Sequence, residues 1–276
     1  MVFQKGNIPV TRENNRSKQK RQSEIQLPPG EQIEGRNPLE EALRAGRKIR
    51  QLYILNKATK TSQTDPLSLL AQQTEATGAN VSYVDRATLD SIAISNAHQG
   101  VIAMVEEYEY ADLDEVLRAE EKAGTSPFLI LLDNLQDAHN LGAILRIADG
   151  AGVSAVVIPK HRSVSLNAVV AKTSAGAIEY VPVCQETNLT QTVLRLKDEG
   201  FWVFGTSDAA QDKYYDVDWK GKVALVIGSE GKGIGEKLLQ HCDFQITIPQ
   251  HGKINSLNAS VACGIITFEA MRQRGS

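Results

Sequence analysis

The stretch "ALVIGSEGKGIG" (224–235) is an apolar, strand-like run that breaks into four glycines around Ser229, Glu230 and Lys232. A glycine-rich turn after a strand invites a phosphate, because bare backbone N–H groups can approach and helix N-termini favour anions. Neither nucleotide fingerprint is met here. The Walker pattern needs Lys followed by Ser or Thr, whereas Lys232 precedes Gly233; Gly231, Gly233 and Gly235 are spaced G-x-G-x-G rather than G-x-G-x-x-G. Glu230 would also repel a phosphate. The surrounding chain must decide what the loop serves.

Outward from this run, buried-type strands recur: "FLILLD" (128–133), "VSAVVIP" (153–159), "GFWVFGT" (200–206), "KVALVIG" (222–228) and "FQITIP" (244–249). Helical patterns separate them at about 140–151, 165–174, 188–199, 235–241 and 257–272. Strands apolar on both sides and alternating with helices predict an α/β fold, a mostly parallel sheet with helices on both faces. Ligands of such folds sit at the carboxyl ends of the strands, where "ALVIGSEGKGIG" and "NLQDAHNLGAILR" both fall.

A smaller α/β unit precedes this sheet. Asn37-Pro38 starts a helix that Gly46 stops, and "RQLYIL" (50–55), "NVSYVD" (80–85) and "GVIAMVEEY" (100–108) read as strands, with helices at about 65–77 and 86–92. His98 in "ISNAHQGVIA" has no catalytic pairing in the sequence and reads as a turn residue. The acidic stretch 109–124 is a helix-bearing linker, which divides the chain into 1–28, 29–108, 109–124 and 125–276. Residues 1–28 carry Lys5, Arg12, Arg16, Lys18, Lys20 and Arg21 against Glu13 and Glu24 with little apolar content. They read as a disordered basic arm, either one that tracks phosphates or a solvated tail.

Composition narrows the classes. Of 276 residues, 42% are hydrophobic and 23% charged, a globular balance with room for two domains. No apolar stretch approaches the roughly 18 residues of a spanning helix, and no hydrophobic signal core opens the chain, so a cytoplasmic protein without a membrane partner is expected. The three cysteines, Cys184, Cys242 and Cys263, are too widely spaced to suggest a disulfide framework or a zinc site. A net charge of −3 argues against nucleic-acid binding by bulk charge alone.

Three loops of the larger unit hold uncommon polar content. In "DNLQDAHNLGAILRIADGAG" (133–152), Asn140 reads as an N-cap and Arg146 falls opposite the apolar stripe of Leu141, Ile144, Leu145 and Ala148, as a solvated arginine would. In "PQHGKINSLNASVACGIITFEAMRQR" (249–274), Ser256 reads as an N-cap. Asn258, just inside the helix, is unfavourable unless its amide is used. The helix that follows is apolar nearly all round from Val261 to Ile266 and must be buried, in the core or against another subunit.

"LDNLQDAHNLGAILRIADGAG", "ALVIGSEGKGI" and "ITIPQHGKINSLNASVA" together resemble the three signature motifs of the SpoU (TrmH) family of RNA ribose 2'-O-methyltransferases in the SPOUT superfamily, in order and at family-like spacing. The resemblance covers about 125–274. The preceding unit is similar to the family's ribosomal-protein-like RNA-recognition domain, and the nearest subgroup is the bacterial 23S rRNA guanosine 2'-O-methyltransferases. The resemblance implies a trefoil knot, an obligate homodimer with the last helix in its interface, S-adenosylmethionine as co-substrate and no metal. It implies rRNA as substrate, with tRNA the alternative; a catalytically inactive RNA-binding or ribosome-assembly factor that keeps the fold is the rival reading, which the three intact motifs disfavour. Backbone groups around Thr206, Gly228, Ile248 and Leu257, with Gly231 allowing close approach, would contact the cofactor. Asn140, Arg146, Glu230, Ser256 and Asn258 match catalytic and substrate-positioning residues, with Glu230 expected to hold the Arg146 guanidinium. His139, His251 and Gly252 receive no role.

Overall fold

The structure, a computed structural model, describes residues 25–56, 65–95, 97–252 and 256–275; residues 1–24 of the basic arm lie outside the described residues. The first unit comprises β1 (Glu31–Glu34), α1 (Arg36–Arg44), β2 (Ile49–Leu55), α2 (Pro66–Ala76), β3 (Asn80–Val84), α3 (Arg86–Ile92) and β4 (Val101–Val105). Its sheet is ordered β1-β4-β2-β3, with β4 antiparallel to both neighbours and β2 parallel to β3. Strand β1, "EQIE", escapes the sequence pattern because two of its three buried residues, Gln32 and Glu34, are polar. Glu34 is 2% exposed, and its carboxylate accepts the N–H groups of Ile94 and Ser95.

After α4 (Leu113–Ala123), capped by Asp112 and ended by left-handed Gly124, the second unit begins. It runs through β5 (Phe128–Asp133), α5 (Ala138–Ala151), β6 (Ala155–Pro159), α6 (Ala168–Thr173), a 3-10 turn (Ala177–Glu179), β7 (Val183–Glu186), α7 (Leu189–Asp198) and β8 (Trp202–Thr206). It closes with β9 (Asp212–Lys213), β10 (Val223–Gly228), α8 (Glu236–Leu239), β11 (Phe244–Thr247) and α9 (Ala259–Arg274). The sheet order is β7-β6-β5-β10-β8-β11-β9 and every described pairing is parallel. Strands β7 and β9 were not expected from the sequence. Each is an edge strand, too short or too polar to show an apolar run.

The period-2 alternation of β5 shows why its run is continuous. Phe128, Ile130 and Leu132 enter one apolar cluster with Leu141, Leu145, Cys263 and Ile266 of α5 and α9; Leu129 and Leu131 enter another with Val193 and Leu196 of α7. Burying each such side chain stabilises the fold by about 1.5–3 kcal/mol relative to exposure. Helices α5 and α9 lie side by side in the same direction: Asn258 meets Asn140, Gly264 packs on Ile147 and Phe268 on Gly150.

The two units are joined through polar contacts. Arg47 pairs with Glu179 at 3.0 Å, both side chains under 10% exposed, and its guanidinium lies 3.3 Å over the Tyr108 ring while the Tyr108 hydroxyl donates to Glu179. Lys172 of α6 donates to Ser95 at 2.7 Å, and Tyr180 to Glu41 at 2.7 Å.

Candidate active site

The glycine loop after β10 is a tight reversal. Ser229 and Gly233 exchange both backbone hydrogen bonds, at 3.2 and 2.9 Å, and the turn between them uses left-handed Gly231 (φ 78) and Gly233 (φ 65). Such angles are costly for any residue with a side chain. Gly228 is required for another reason: a Cβ there would lie 2.1 Å from the Gly233 carbonyl carbon. The far side of the loop is tied to the first strand of the domain, since Gly235 N–H donates to Asp133 Oδ2 at 2.7 Å. Asp133 ends β5, a strand-end position that the sequence reading passed over.

Glu230 projects from this reversal to the start of α9. Its Oε1 accepts from Asn140 Nδ2 at 3.1 Å, Asn258 Nδ2 at 2.5 Å and Ala259 N–H at 3.4 Å. Asn258 Nδ2 also donates to Asn140 Oδ1 at 2.9 Å. Among the described residues, Glu230 Oε2 receives no hydrogen bond. Three motifs distant in sequence thus share one hydrogen-bonded cluster, with Asn140 buried and Glu230 and Asn258 exposed to solvent. A carboxylate at a helix N-terminus is favoured by the helix dipole as well as by these donors.

The structure corrects three expectations. The N-cap of α5 is Asp137, whose side chain accepts from His139 N–H, so Asn140 lies inside the helix and its amide is free to serve Glu230 and Asn258. The N-cap of α9 is Asn258, not Ser256: its Oδ1 accepts from Ser260 and Val261 N–H, which is how the helix start uses that amide. The pair between Arg146 and Glu230 is absent. Arg146 sits exposed on the solvent side of α5, and no hydrogen bond or ion pair reaches it among the described residues, because Glu230 is directed to the α9 terminus instead.

Beside the cluster lies a cavity of about 540 Å³, lined among others by Thr206, Gly228, Gly231, Ile248, Ser256 and Leu257. All five residues expected to contact a cofactor therefore converge here, together with Glu230 and Ser256, while Asn140 and Asn258 adjoin through Glu230 and Arg146 stands apart. Thr206 ends β8, where its hydroxyl donates to Val226 O. His139, one residue before Asn140, lies 3.3 Å from the Thr173 hydroxyl of α6. No group of three or more His, Cys, Asp or Glu able to hold a metal occurs among the described residues.

Residues 127–268 match the profile of the SpoU rRNA Methylase family, and residues 32–111 match that of the RNA 2'-O ribose methyltransferase substrate binding domain. The chain belongs to the SpoU/TrmH family of RNA methyltransferases. This SpoU/TrmH methyltransferase is 43% identical, over 87% of its length and 94% of the relative's, to YacO of Bacillus subtilis (strain 168), which is named for the TrmH family of tRNA/rRNA methyltransferases. A Staphylococcus aureus (strain MSSA476) protein of the same naming is 44% identical over 88% of this chain and 96% of its own. The SpoU methyltransferase AviRb of Streptomyces viridochromogenes, solved with S-adenosylmethionine, superposes with a TM-score of 0.73 at 25% identity, covering 90% of this chain and 91% of that one. An S-adenosylmethionine-bound rRNA methyltransferase of Sinorhizobium meliloti gives 0.71 at 26% identity, over 88% and 87%.

The co-substrate of this SpoU/TrmH methyltransferase is S-adenosylmethionine. The cavity suits it. Its walls combine apolar side chains such as Ile248 and Leu257 with a glycine-lined backbone rim, and the ligand carries no phosphate for Glu230 to repel.

Proposed function

We propose that this methyltransferase places the methyl group on a ribose 2'-hydroxyl, with a guanosine of 23S rRNA as its target. The observation that carries the reading is the junction of Asn140, Glu230 and Asn258 at the cofactor cavity, with Glu230 Oε2 accepting no hydrogen bond among the described residues. The matched substrate-binding domain supports ribose as the acceptor, and the rRNA methyltransferase of Sinorhizobium meliloti supports rRNA. A tRNA guanosine is the second reading, favoured by relatives named for both RNAs.

A ribose hydroxyl is a weak nucleophile, whereas the sulfonium of S-adenosylmethionine supplies an already activated methyl group. The chain must align the oxygen with that methyl and manage the hydroxyl proton. Asn140, Asn258 and Ser256 position the ribose and the methionine end, and Glu230 orders the loop that closes over them. Arg146, whose guanidinium has no partner among the described residues, binds the phosphate or ribose of the target nucleotide. A guanidinium is a poor proton acceptor. The proton leaves to the RNA phosphate or to water. Thr206, Gly228, Gly231, Ile248 and Leu257 hold the cofactor.

We further infer a cytoplasmic homodimer through the second unit, a trefoil threading of its last strands, and a division into 1–28, 29–108, 109–124 and 125–276. An apolar stripe along α9 supports the dimer. No helix among the described residues is long and apolar enough to cross a membrane. The test is to map ribose methylation in rRNA and tRNA from cells with and without the gene. One 23S guanosine losing its mark is expected, and a lost tRNA mark selects the second reading.

A further inference from the structure

The first unit carries a depression of its own, of about 700 Å³, within the range of small-molecule sites. Leu55 and Leu67 form its apolar side, and Arg36, Arg86, His98 and Gln99 its polar side. Residues 98–100, just before β4, are fixed by local hydrogen bonds. Gln99 adopts a left-handed backbone (φ 53), a conformation that persists in a residue with a side chain only where its surroundings fix it. Arg36 fixes it twice: its backbone N–H donates to Gln99 Oε1 at 3.0 Å, and its Nε donates to Gln99 O at 3.2 Å. His98 is buried, accepting the Gly100 N–H on Nδ1 at 3.0 Å and donating from Nε2 to Asp90 at 2.9 Å. It is a strut of the loop with no ring nitrogen left for a ligand.

The two arginines are not used up in this way. The Arg36 guanidinium is tethered through Nε alone, so both terminal nitrogens are presented without a partner among the described residues. Arg86 is 79% exposed, with Asp90 at 3.8 Å as its ion-pair partner. Two guanidinium groups beside an apolar floor match the two halves of an unstacked nucleotide: a phosphate takes the forked donors, and a base lies against leucine or a guanidinium plane.

The same loop reaches the second unit. Ser95 accepts from Lys172 of α6, and the neighbouring Thr173 meets His139, which directly precedes Asn140 of the active-site cluster. Ser95, Lys172, Thr173 and the start of α5 thus link the first unit to the active-site cluster through hydrogen bonds.

We propose that this depression is a nucleotide-binding subsite for the RNA substrate, taking a flanking nucleotide with its phosphate on Arg36 and Arg86 and its base against Leu55 and Leu67. The subsite rests on the reading of the chain as an RNA methyltransferase and adds to it where the strand is held away from the reacting ribose.

The test uses the full chain, S-adenosylmethionine, and transcripts of 23S rRNA and tRNA, taking whichever the wild type methylates. Arg36→Gln, Arg86→Gln and the double variant are compared with Lys122→Gln, which removes one exposed charge from α4. The double variant is expected to raise the KM for RNA at least tenfold and to flatten the salt dependence of RNA affinity by about one to two in log–log slope. Its kcat and S-adenosylmethionine affinity should stay within twofold, and Lys122→Gln should leave KM within twofold. If Arg36→Gln loosens the loop and lowers cofactor affinity, Arg86→Gln, an exposed site, decides alone with a rise of about threefold. Wild-type KM and salt slope in Arg86→Gln and in the double variant would overturn the subsite while leaving the enzyme reading intact. A wild type that methylates neither transcript defeats that reading, and the subsite with it.

Discussion

Asn140 and Glu230, ninety residues apart in the chain, meet at 3.1 Å, and Asn258 joins both through one amide nitrogen. Glu230 Oε1 is the shared acceptor. The cluster closes the glycine loop onto α5 and α9 together, so the cavity wall and the helix start that caps it are fixed by the same carboxylate.

Removing that acceptor leaves the buried Asn140 amide with an unmet donor, which costs about 1–3 kcal/mol. Glu230→Ala is therefore expected to lower the unfolding free energy by that amount and to weaken S-adenosylmethionine binding at least tenfold by calorimetric titration. Glu230→Gln keeps an acceptor oxygen in place and should retain most cofactor affinity. Equal losses in the two variants would show that the charge, not the hydrogen-bond acceptor, orders the loop.

Arg146 separates stability from activity. It is exposed and without a described partner, so Arg146→Ala should change stability by no more than about 0.5 kcal/mol. Cofactor affinity should hold while methyl transfer to RNA falls at least a hundredfold, measured as label incorporated from S-adenosylmethionine. Undiminished turnover would remove Arg146 from the proposed chemistry.

What the sequence revealed follows from where each signal is written. Strands β5, β8 and β10 are legible because both faces of their sheet are covered, so the apolar run is local. Strand β1 is not, since Glu34 is buried by accepting backbone N–H groups sixty and sixty-one positions away. The same limit governs the site. Asn140, Glu230 and Asn258 stood out as residues, but the partner of Glu230 depends on how α9 returns beside α5, which no local pattern encodes. Asp137 and Asn140 are both capping residue types; only the fold shows that one caps and the other bonds across.

The glycine loop distinguishes contact from conformation. In Gly228→Ala the new methyl would meet the Gly233 carbonyl carbon at 2.1 Å, so the reversal must open, with loss of cofactor binding and about 2 kcal/mol or more of stability. Gly231→Ala meets nothing within 4 Å and bears only the left-handed backbone, about 1 kcal/mol. Denaturant midpoints and cofactor titrations on both variants check the order; a milder Gly228→Ala would mean that the loop is not held against β10.

The junction of the two units should register pH. Burial pushes Glu179 above its ordinary value near 4.5, against the opposing pull of Arg47. The folded state then binds the proton more tightly than the unfolded one, so this stabilisation is complete below about pH 4.5 and is lost as pH rises through the raised value. Glu179→Gln lacks the titration. Urea midpoints of wild type minus variant should shift in favour of wild type as pH falls from about 7 toward 4.5, and a shift in the opposite direction would show that the junction prefers the charged carboxylate.

Helix α9 tests the proposed dimer. Val261, Ile265, Phe268 and Met271 are 36–49% exposed in the single chain and recur every three or four residues, an apolar stripe on one helical face. Placing a charge in its middle, Phe268→Glu, is expected to convert a particle of twice 30.1 kDa into one of 30.1 kDa by light scattering. Because the same helix begins at Asn258, the monomer should also bind S-adenosylmethionine more weakly, by about tenfold. A wild-type monomer at micromolar concentration would leave the stripe without the second copy that we assign to it, and the cofactor site would then have to be complete within one chain.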